Sequence, residues 1–376
     1  MKLNLQQLNT PCLILDEVRL NNNIQRMSDK ADRHQVRLRP HAKTAKSAAV
    51  LKRFQGTATP LTVSTLKEAE YFAEQGFAQL LYAVCLSPDK IARVAKLRQQ
   101  HVDITVIIDS FSMATAIAAY AQAHQVRFSV AIEIDCDGHR AGLLPDDPLL
   151  VALAKALFVD DGIDFWGLMT HGGGSYDCQH WSEVKAHAEQ ERQALLSAQA
   201  RLQQAQLVCP NLSLGSTPTV VAAEDFSGIN EIRPGVFVFF DLFQAQLGAC
   251  DEADIALSVL ATVTSHKPEK NRIFIDAGGL ALSKDRSTSA QHCDYGYGKV
   301  IKPDGTGFSH NVIVNQVNQE HGVIHLPDEV SISEFPIGSR VRVLPNHACM
   351  TAAAYPGYHL VTAAGELHWL ERCNGW

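Results

Sequence analysis

Lys43, in the stretch "RLRPHAKTAKS" (residues 37–47), stands directly behind what reads as the end of a buried strand. An amine held in an apolar setting is disfavoured as ammonium and becomes available as a nucleophile or Schiff-base partner. An isolated lysine, by contrast, is ordinarily a solvated surface residue. Lys46, three residues on, reads as the beginning of a helix and is the weaker candidate. Near the other end, "LPNHACMTAAAY" sets His347 two residues before Cys349. On a strand, residues i and i+2 point to the same face. Imidazole and thiolate are both good zinc ligands, and two local ligands leave positions open for water or substrate, as in catalytic sites. The plain alternative is a buried histidine beside a buried free cysteine, neither unusual in a core.

The elements around these residues point to a barrel. Eight short β-branched runs occur at residues 36–40, 61–65, 79–84, 104–109, 127–135, 165–171, 212–215 and 232–240. Helix-like stretches lie between them at 17–34, 66–75, 88–99, 111–124, 148–158 and 180–205. Eight strands, most tied to a helix, is the count of a (β/α)8 TIM barrel; a doubly wound open sheet is the alternative. After Asp241 the texture changes to short alternating strands such as "ALSVLATVTSH", "NRIFIDAG", "HNVIVNQVN" and "SRVRVLPNH". That is an α/β chain with a C-terminal all-β domain. The expected division is a barrel over 17–241, with 1–16 and 242–376 forming the β-domain. The opening strand "TPCLILD" precedes the barrel and could pair with the later sheet.

Composition narrows the class. Of 376 residues, 46% are apolar and 19% charged, so a large core is expected and disorder is not. A net charge of −7 argues against a nucleic-acid partner, which would call for a basic face. Nine scattered cysteines without a C-x-x-C pair suit reduced thiols, and no apolar run approaches a membrane span. The expectation is a soluble cytoplasmic protein with no membrane partner.

Barrel enzymes place their chemistry at the C-terminal strand ends. There the sequence gathers polar and glycine residues: Lys43, then Arg140 in "EIDCDGHRAG", then "THGGGSY", "LGSTPT" and "EIRPGVFVFFD". "GSTPT" offers backbone N–H groups and three hydroxyls at a helix start, which suits a phosphate. It equally suits an ordinary Ser/Thr cap with proline in the first turn. Gly235 in "RPGVF" allows a second close backbone approach. His321 and His325 read as structural or surface residues, and Asp276 has no assigned role.

Together and in order, these motifs resemble the D-threonine aldolase and D-serine dehydratase family, the fold-type III enzymes that use pyridoxal 5′-phosphate (PLP). The resemblance spans nearly the whole chain, from "TPCLILDEVRLNNNIQRM" through "VRLRPHAKTAKS" and "IDAGGLALSKD" to "PNHACMT". It implies that Lys43 bonds covalently to PLP and that Tyr176 lies near the cofactor. It implies phosphate contacts from Thr217 and the backbone of Gly235 and Val236, with Ser216 assisting. Arg140 matches an arginine near the pyridine ring. Arg233 resembles the arginine that alanine racemases aim at the pyridine nitrogen, so which arginine serves that nitrogen is open. Met169 stands where some dehydratases have a second tyrosine. His347 and Cys349 match the metal pair.

The family's aldolase branch tends to His-x-Asp with manganese or a similar metal, and its dehydratase branch to His-x-Cys with zinc. Cys349 favours zinc by ligand softness, with Mn2+ as the alternative. The implied reaction starts from a 3-hydroxy-D-amino acid. Lys43 removes the α-proton, the metal acts as Lewis acid on the β-hydroxyl, and a 2-oxo acid and ammonia result. Retro-aldol cleavage and racemisation are the rival outcomes. The resemblance also implies a homodimer with its sites at the interface.

Overall fold

The computed structural model describes residues 5–376. The chain forms two compact units. One comprises the N-terminal stretch through Gln25 with Val236–Arg372, the other Arg26–Gly235 with Cys373–Trp376. Strand β1 (Cys12–Asp16) belongs to the first unit.

The second unit contains β2 (Arg37–Leu38), β3 (Leu61–Val63), β4 (Gln79–Cys85), β5 (Asp103–Ile108), β6 (Phe128–Ile134), β7 (Ile163–Thr170), β8 (Leu212–Leu214) and β9 (Glu231–Ile232). Their order is β2-β9-β8-β7-β6-β5-β4-β3, and every ladder is parallel. All seven residues of β6 are buried, as expected of a parallel strand covered on both faces. The two ends of this order meet. His41 bridges Thr62, the Ala42 N–H donates to the Thr62 carbonyl at 2.7 Å, and the Thr62 N–H donates to the Pro40 carbonyl at 3.0 Å. That seam closes a (β/α)8 barrel and excludes the open doubly wound sheet. The closing segment is "RPHAK", so barrel closure itself fixes where Lys43 emerges.

Several expected runs are trimmed. The last, expected over 232–240, is strand only at Glu231–Ile232 and gives way to a 3-10 turn at Val236–Val238. Pro234 donates no N–H and Gly235 weakens a strand, so the ladder stops there. Lys46 does not start a helix: Ser47 precedes the helix Ala48–Leu51. The helix Trp181–Gln204 starts where the Glu183 carboxylate accepts the backbone N–H groups of Gln179 and His180. Its buried stripe is Val184, Ala188, Glu191, Ala194, Leu195, Ala198 and Leu202. The spacing is helical, with a single charged residue among apolar ones.

The first unit carries β10 (Leu257–Lys267), β11 (Arg272–Ile275), β12 (Lys299–Ile301), β13 (Gln316–Val317), β14 (Gly322–His325), β15 (Arg340–Leu344), β16 (Gly357–Val361) and β17 (Leu367–Glu371). Strand β1 pairs antiparallel with β10 and parallel with β16, completing this sheet. Asp276 accepts the Thr262 N–H at 2.7 Å and the Thr10 hydroxyl at 2.5 Å, so its role is to pin the approach to β1.

His347 and Cys349 are not on a strand. β15 ends at Leu344, and His347 is the N-cap residue of a short helix, Ala348–Ala352. Pro345 ends the strand, and the buried Asp241 carboxylate accepts the Ala348 N–H at 2.9 Å, capping the turn. None of the nine cysteines forms a disulfide. Among the described residues no helix is long and apolar enough to cross a membrane.

Candidate active site

The residues that follow β2, β6, β7, β8 and β9 gather at one end of the barrel. Lys43 is half-buried in the closing segment, and its N–H donates to His41 Nδ1 at 3.4 Å. The other lysine of the motif is committed elsewhere: Lys46 Nζ lies 3.0 Å from Oε1 of the fully buried Glu68. Arg140 lies in the loop after β6, beside the glycine run. A Cβ placed on Gly173 would come within 3.3 Å of Arg140 Nε. Arg233, buried after β9, donates to Ser213 Oγ at 2.6 Å and to the Thr170 carbonyl. Burial brings its guanidinium down to about 10, so it remains charged at neutral pH.

Ser216 follows β8 and caps the helix Thr217–Ala222: its Oγ accepts the Thr219 N–H, with Pro218 in the first turn. This is the cap read from "GSTPT", built with its hydroxyls facing inward and buried. Thr217 Oγ1 accepts the Gly235 N–H at 3.1 Å, joining the ends of β8 and β9. Gly235 has to be glycine, because a Cβ there would meet His41 Cβ at 2.9 Å. Val236, the next residue, is buried at the start of the 3-10 turn and of the first unit. Tyr176 is half-buried and ends the turn Gly174–Tyr176, and Asp137 accepts the Gly174 N–H at 2.7 Å. Met169 is a barrel-core residue packed with Leu81, Ile107 and Ala131.

Two histidines join this set that sequence reasoning did not single out. His41 and His171 are both held well below the ordinary imidazole pKa, first by burial and then by the positive charges of Lys43, Arg140 and Arg233. His171 Nε2 is buried and has no hydrogen-bond partner. The available signal was its position, one residue past β7 in "THGGGSY". A chain of net charge −7 thus concentrates two guanidiniums, a lysine amine, an unpartnered imidazole nitrogen and glycine-opened backbone at one barrel mouth. That donor set fits an aldehyde carrying an anionic phosphate, which PLP is.

The buried histidines give a pH prediction. Unfolded imidazoles take up a proton near pH 6.5, whereas the folded ones stay neutral further down. The unfolded state therefore binds more protons below about pH 6.5, so stability falls as pH falls, by up to about 1.4 kcal/mol per pH unit for each histidine. Thermal melts of cofactor-free protein between about pH 5 and 7.5 should show a steeper loss for wild type than for His171→Asn. Parallel curves would contradict this.

In the other unit, His347 Nδ1 lies 2.9 Å from Asp285 Oδ2, and the Cys349 thiol hydrogen-bonds the same imidazole. Burial opposes a charge on His347, but Asp285, Cys349 and Asp241 prevail and raise its pKa well above the ordinary value. Burial likewise opposes Asp285, yet the hydrogen bonds of His347 and Ser287 bring it down to about 2. An imidazole oriented by a carboxylate is the arrangement that metal-binding histidines use. No group of three or more His, Cys, Asp or Glu side chains placed to hold a metal occurs among the described residues. The donors here are an imidazole and a thiol in contact, a set that suits a borderline-soft divalent ion with open positions. Asp285 was unassigned in the sequence.

Residues 15–242 match the family described as "Alanine racemase, N-terminal domain", and residues 256–361 match "Putative serine dehydratase domain". The chain is 43% identical to D-threo-3-hydroxyaspartate dehydratase of Delftia sp. (strain HT23), across 98% of both chains. It belongs to the D-serine dehydratase and D-threonine aldolase family of PLP-dependent lyases. Within that family it is 32% identical to D-serine dehydratase of Dictyostelium discoideum across 96% of both chains. The solved Delftia dehydratase superposes with a TM-score of 0.96 at 42% identity, covering all of both chains. That dehydratase has also been solved as a histidine-to-alanine variant and as a cysteine-to-alanine variant two positions further on, the latter in a metal-free form. D-threonine aldolase of Filomicrobium marinum superposes at 0.85 with 26% identity, covering 99% of this chain and 97% of that one.

Proposed function

We propose that this family member is a PLP- and metal-dependent lyase that removes water from a 3-hydroxy-D-amino acid, giving a 2-oxo acid and ammonia. The observation that carries the dehydratase reading is the His347-x-Cys349 pair, with its imidazole oriented by Asp285. The spacing equals that of the altered histidine and cysteine in the Delftia variants. A thiolate ligand favours zinc over manganese.

When bound, PLP supplies an electron sink for negative charge at Cα, and the metal supplies Lewis acidity toward a leaving hydroxyl. The chain's own residues do the rest. Lys43 holds the cofactor covalently and moves the α-proton. Ser216, Thr217 and the backbone of Gly235 and Val236 would hold the phosphate, with Tyr176 and Arg140 near the cofactor. His347 and Cys349 hold the metal, and Asp285 keeps the imidazole oriented. Substrates acted on by the similar enzymes support D-serine and D-threo-3-hydroxyaspartate as the compounds to try beside D-threonine. The assembly we propose is a homodimer. Nine cysteines without a disulfide support a reducing compartment, the cytoplasm.

The test is to incubate PLP-loaded protein with D-threonine, with and without a chelator, and read products by NMR. Chelator-sensitive 2-oxobutanoate is the expected result. Glycine with acetaldehyde would make the protein an aldolase instead. Epimerised threonine insensitive to chelation would make it a racemase and remove the metal assignment.

A further inference from the structure

One charged side chain in the barrel has no part in that chemistry and yet is almost completely enclosed. Glu191 is 1% exposed, in the middle of the apolar stripe of the helix Trp181–Gln204. A carboxylate in such a place is costly unless donors surround it. Its Oε1 accepts two backbone N–H groups, from Gly172 at 2.7 Å and from Gly215 at 3.1 Å.

These two donors lie in different loops. Gly172 follows β7 and leads to Tyr176, whereas Gly215 follows β8 and immediately precedes Ser216 and Thr217. Gly215 sits at φ +115°, where a side chain is strained, and a Cβ there would lie 2.4 Å from Val220 Cγ2. Its N–H is therefore presented from a backbone shape that only glycine adopts readily. The neighbouring hydroxyls stay in the same interior: Ser175 Oγ and Ser216 Oγ are 3.3 Å apart across the two loops.

We propose that Glu191 is the positioning residue of the cofactor pocket. It is a single buried acceptor that holds the loops after β7 and β8 in register, so that the tyrosine side and the phosphate side of the pocket are preformed before PLP binds. The proposal rests on the barrel mouth being the PLP site. Glu191 acts through backbone N–H groups and touches neither cofactor nor substrate. Preorganised loops spare the ligand the cost of ordering them, so loss of the clamp should appear in PLP affinity rather than only in stability.

The experiment titrates PLP into cofactor-free wild type, Glu191→Gln, Glu191→Asp, Glu191→Met and Ser129→Ala, following visible absorbance, with a thermal melt of each. Gln keeps an acceptor oxygen at the same reach, whereas Asp is one methylene short and Met has no acceptor. Ser129→Ala is the stability control. It removes a buried hydrogen bond to Thr105 (2.9 Å) near the N-terminal ends of β5 and β6. The expected result is a PLP Kd raised tenfold or more in Glu191→Met and Glu191→Asp. Glu191→Gln should stay within about threefold of wild type, and Ser129→Ala should keep wild-type affinity despite a lower melting temperature. If Glu191→Met does not fold, Glu191→Asp decides. Wild-type affinity in the Asp and Met variants, or an equal weakening in Ser129→Ala, would overturn the clamp while leaving the PLP site intact. No saturable PLP binding by wild type would overturn both.

Discussion

Replacing Lys43 with alanine should abolish the visible absorbance of lysine-bound PLP and lower kcat/KM by about 1,000-fold or more, the scale of a lost acid–base group. Lys43 emerges half-buried from the seam that closes the barrel, and its charge acts on both His41 and His171. A thermal melt of the same variant checks that it folds. Lys46→Ala should show the opposite signature. It leaves the fully buried Glu68 with its Ser64 hydrogen bonds but without its cation at 3.0 Å, and breaking a buried ion pair costs about 3–5 kcal/mol. That variant should melt early yet keep the absorbance of whatever folded protein remains. Full absorbance and activity in Lys43→Ala would remove the lysine assignment and, with it, the reading of the barrel mouth as a PLP site.

Changing Cys349 to alanine should release the metal and lower turnover by about 100- to 1,000-fold, since Lewis-acid stabilisation is worth several kcal/mol and each 1.36 kcal/mol is tenfold. The PLP absorbance should persist, because the pair lies in the other unit of the chain. Metal content by mass spectrometry and absorbance on the same sample separate the two effects. Asp285→Asn should give a graded version. It keeps a side chain of similar size but loses the carboxylate 2.9 Å from His347 Nδ1, and such changes weaken metal affinity about 10- to 100-fold. Unchanged turnover with no metal bound in Cys349→Ala would end the metal-dependent reading.

The barrel was largely legible in the sequence because buried parallel strands are continuous apolar runs, and the punctuation between them is local. The same holds for the helix Trp181–Gln204, whose buried stripe and capping Glu183 lie within its own residues. Lys43, the "GSTPT" cap and the His347-x-Cys349 spacing were visible for the same reason: each is a short motif whose chemistry depends on neighbours in sequence.

Tertiary structure decided the rest. A strand reading of "LPNHACM" was reasonable by pattern, but Asp241, 107 residues away, supplies the carboxylate that turns it into a helix N-terminus. Asp285 became the orienting partner of His347 across 62 residues. Glu191 reads as one more charged residue on a long helix. It is a buried clamp only because Gly172 and Gly215 bring their N–H groups to one oxygen from two different strands. His171 is unremarkable until burial deprives its Nε2 of every partner. A sequence pattern records what a residue type is able to do. The desolvation and the long-range partner that make it act are properties of the folded packing alone.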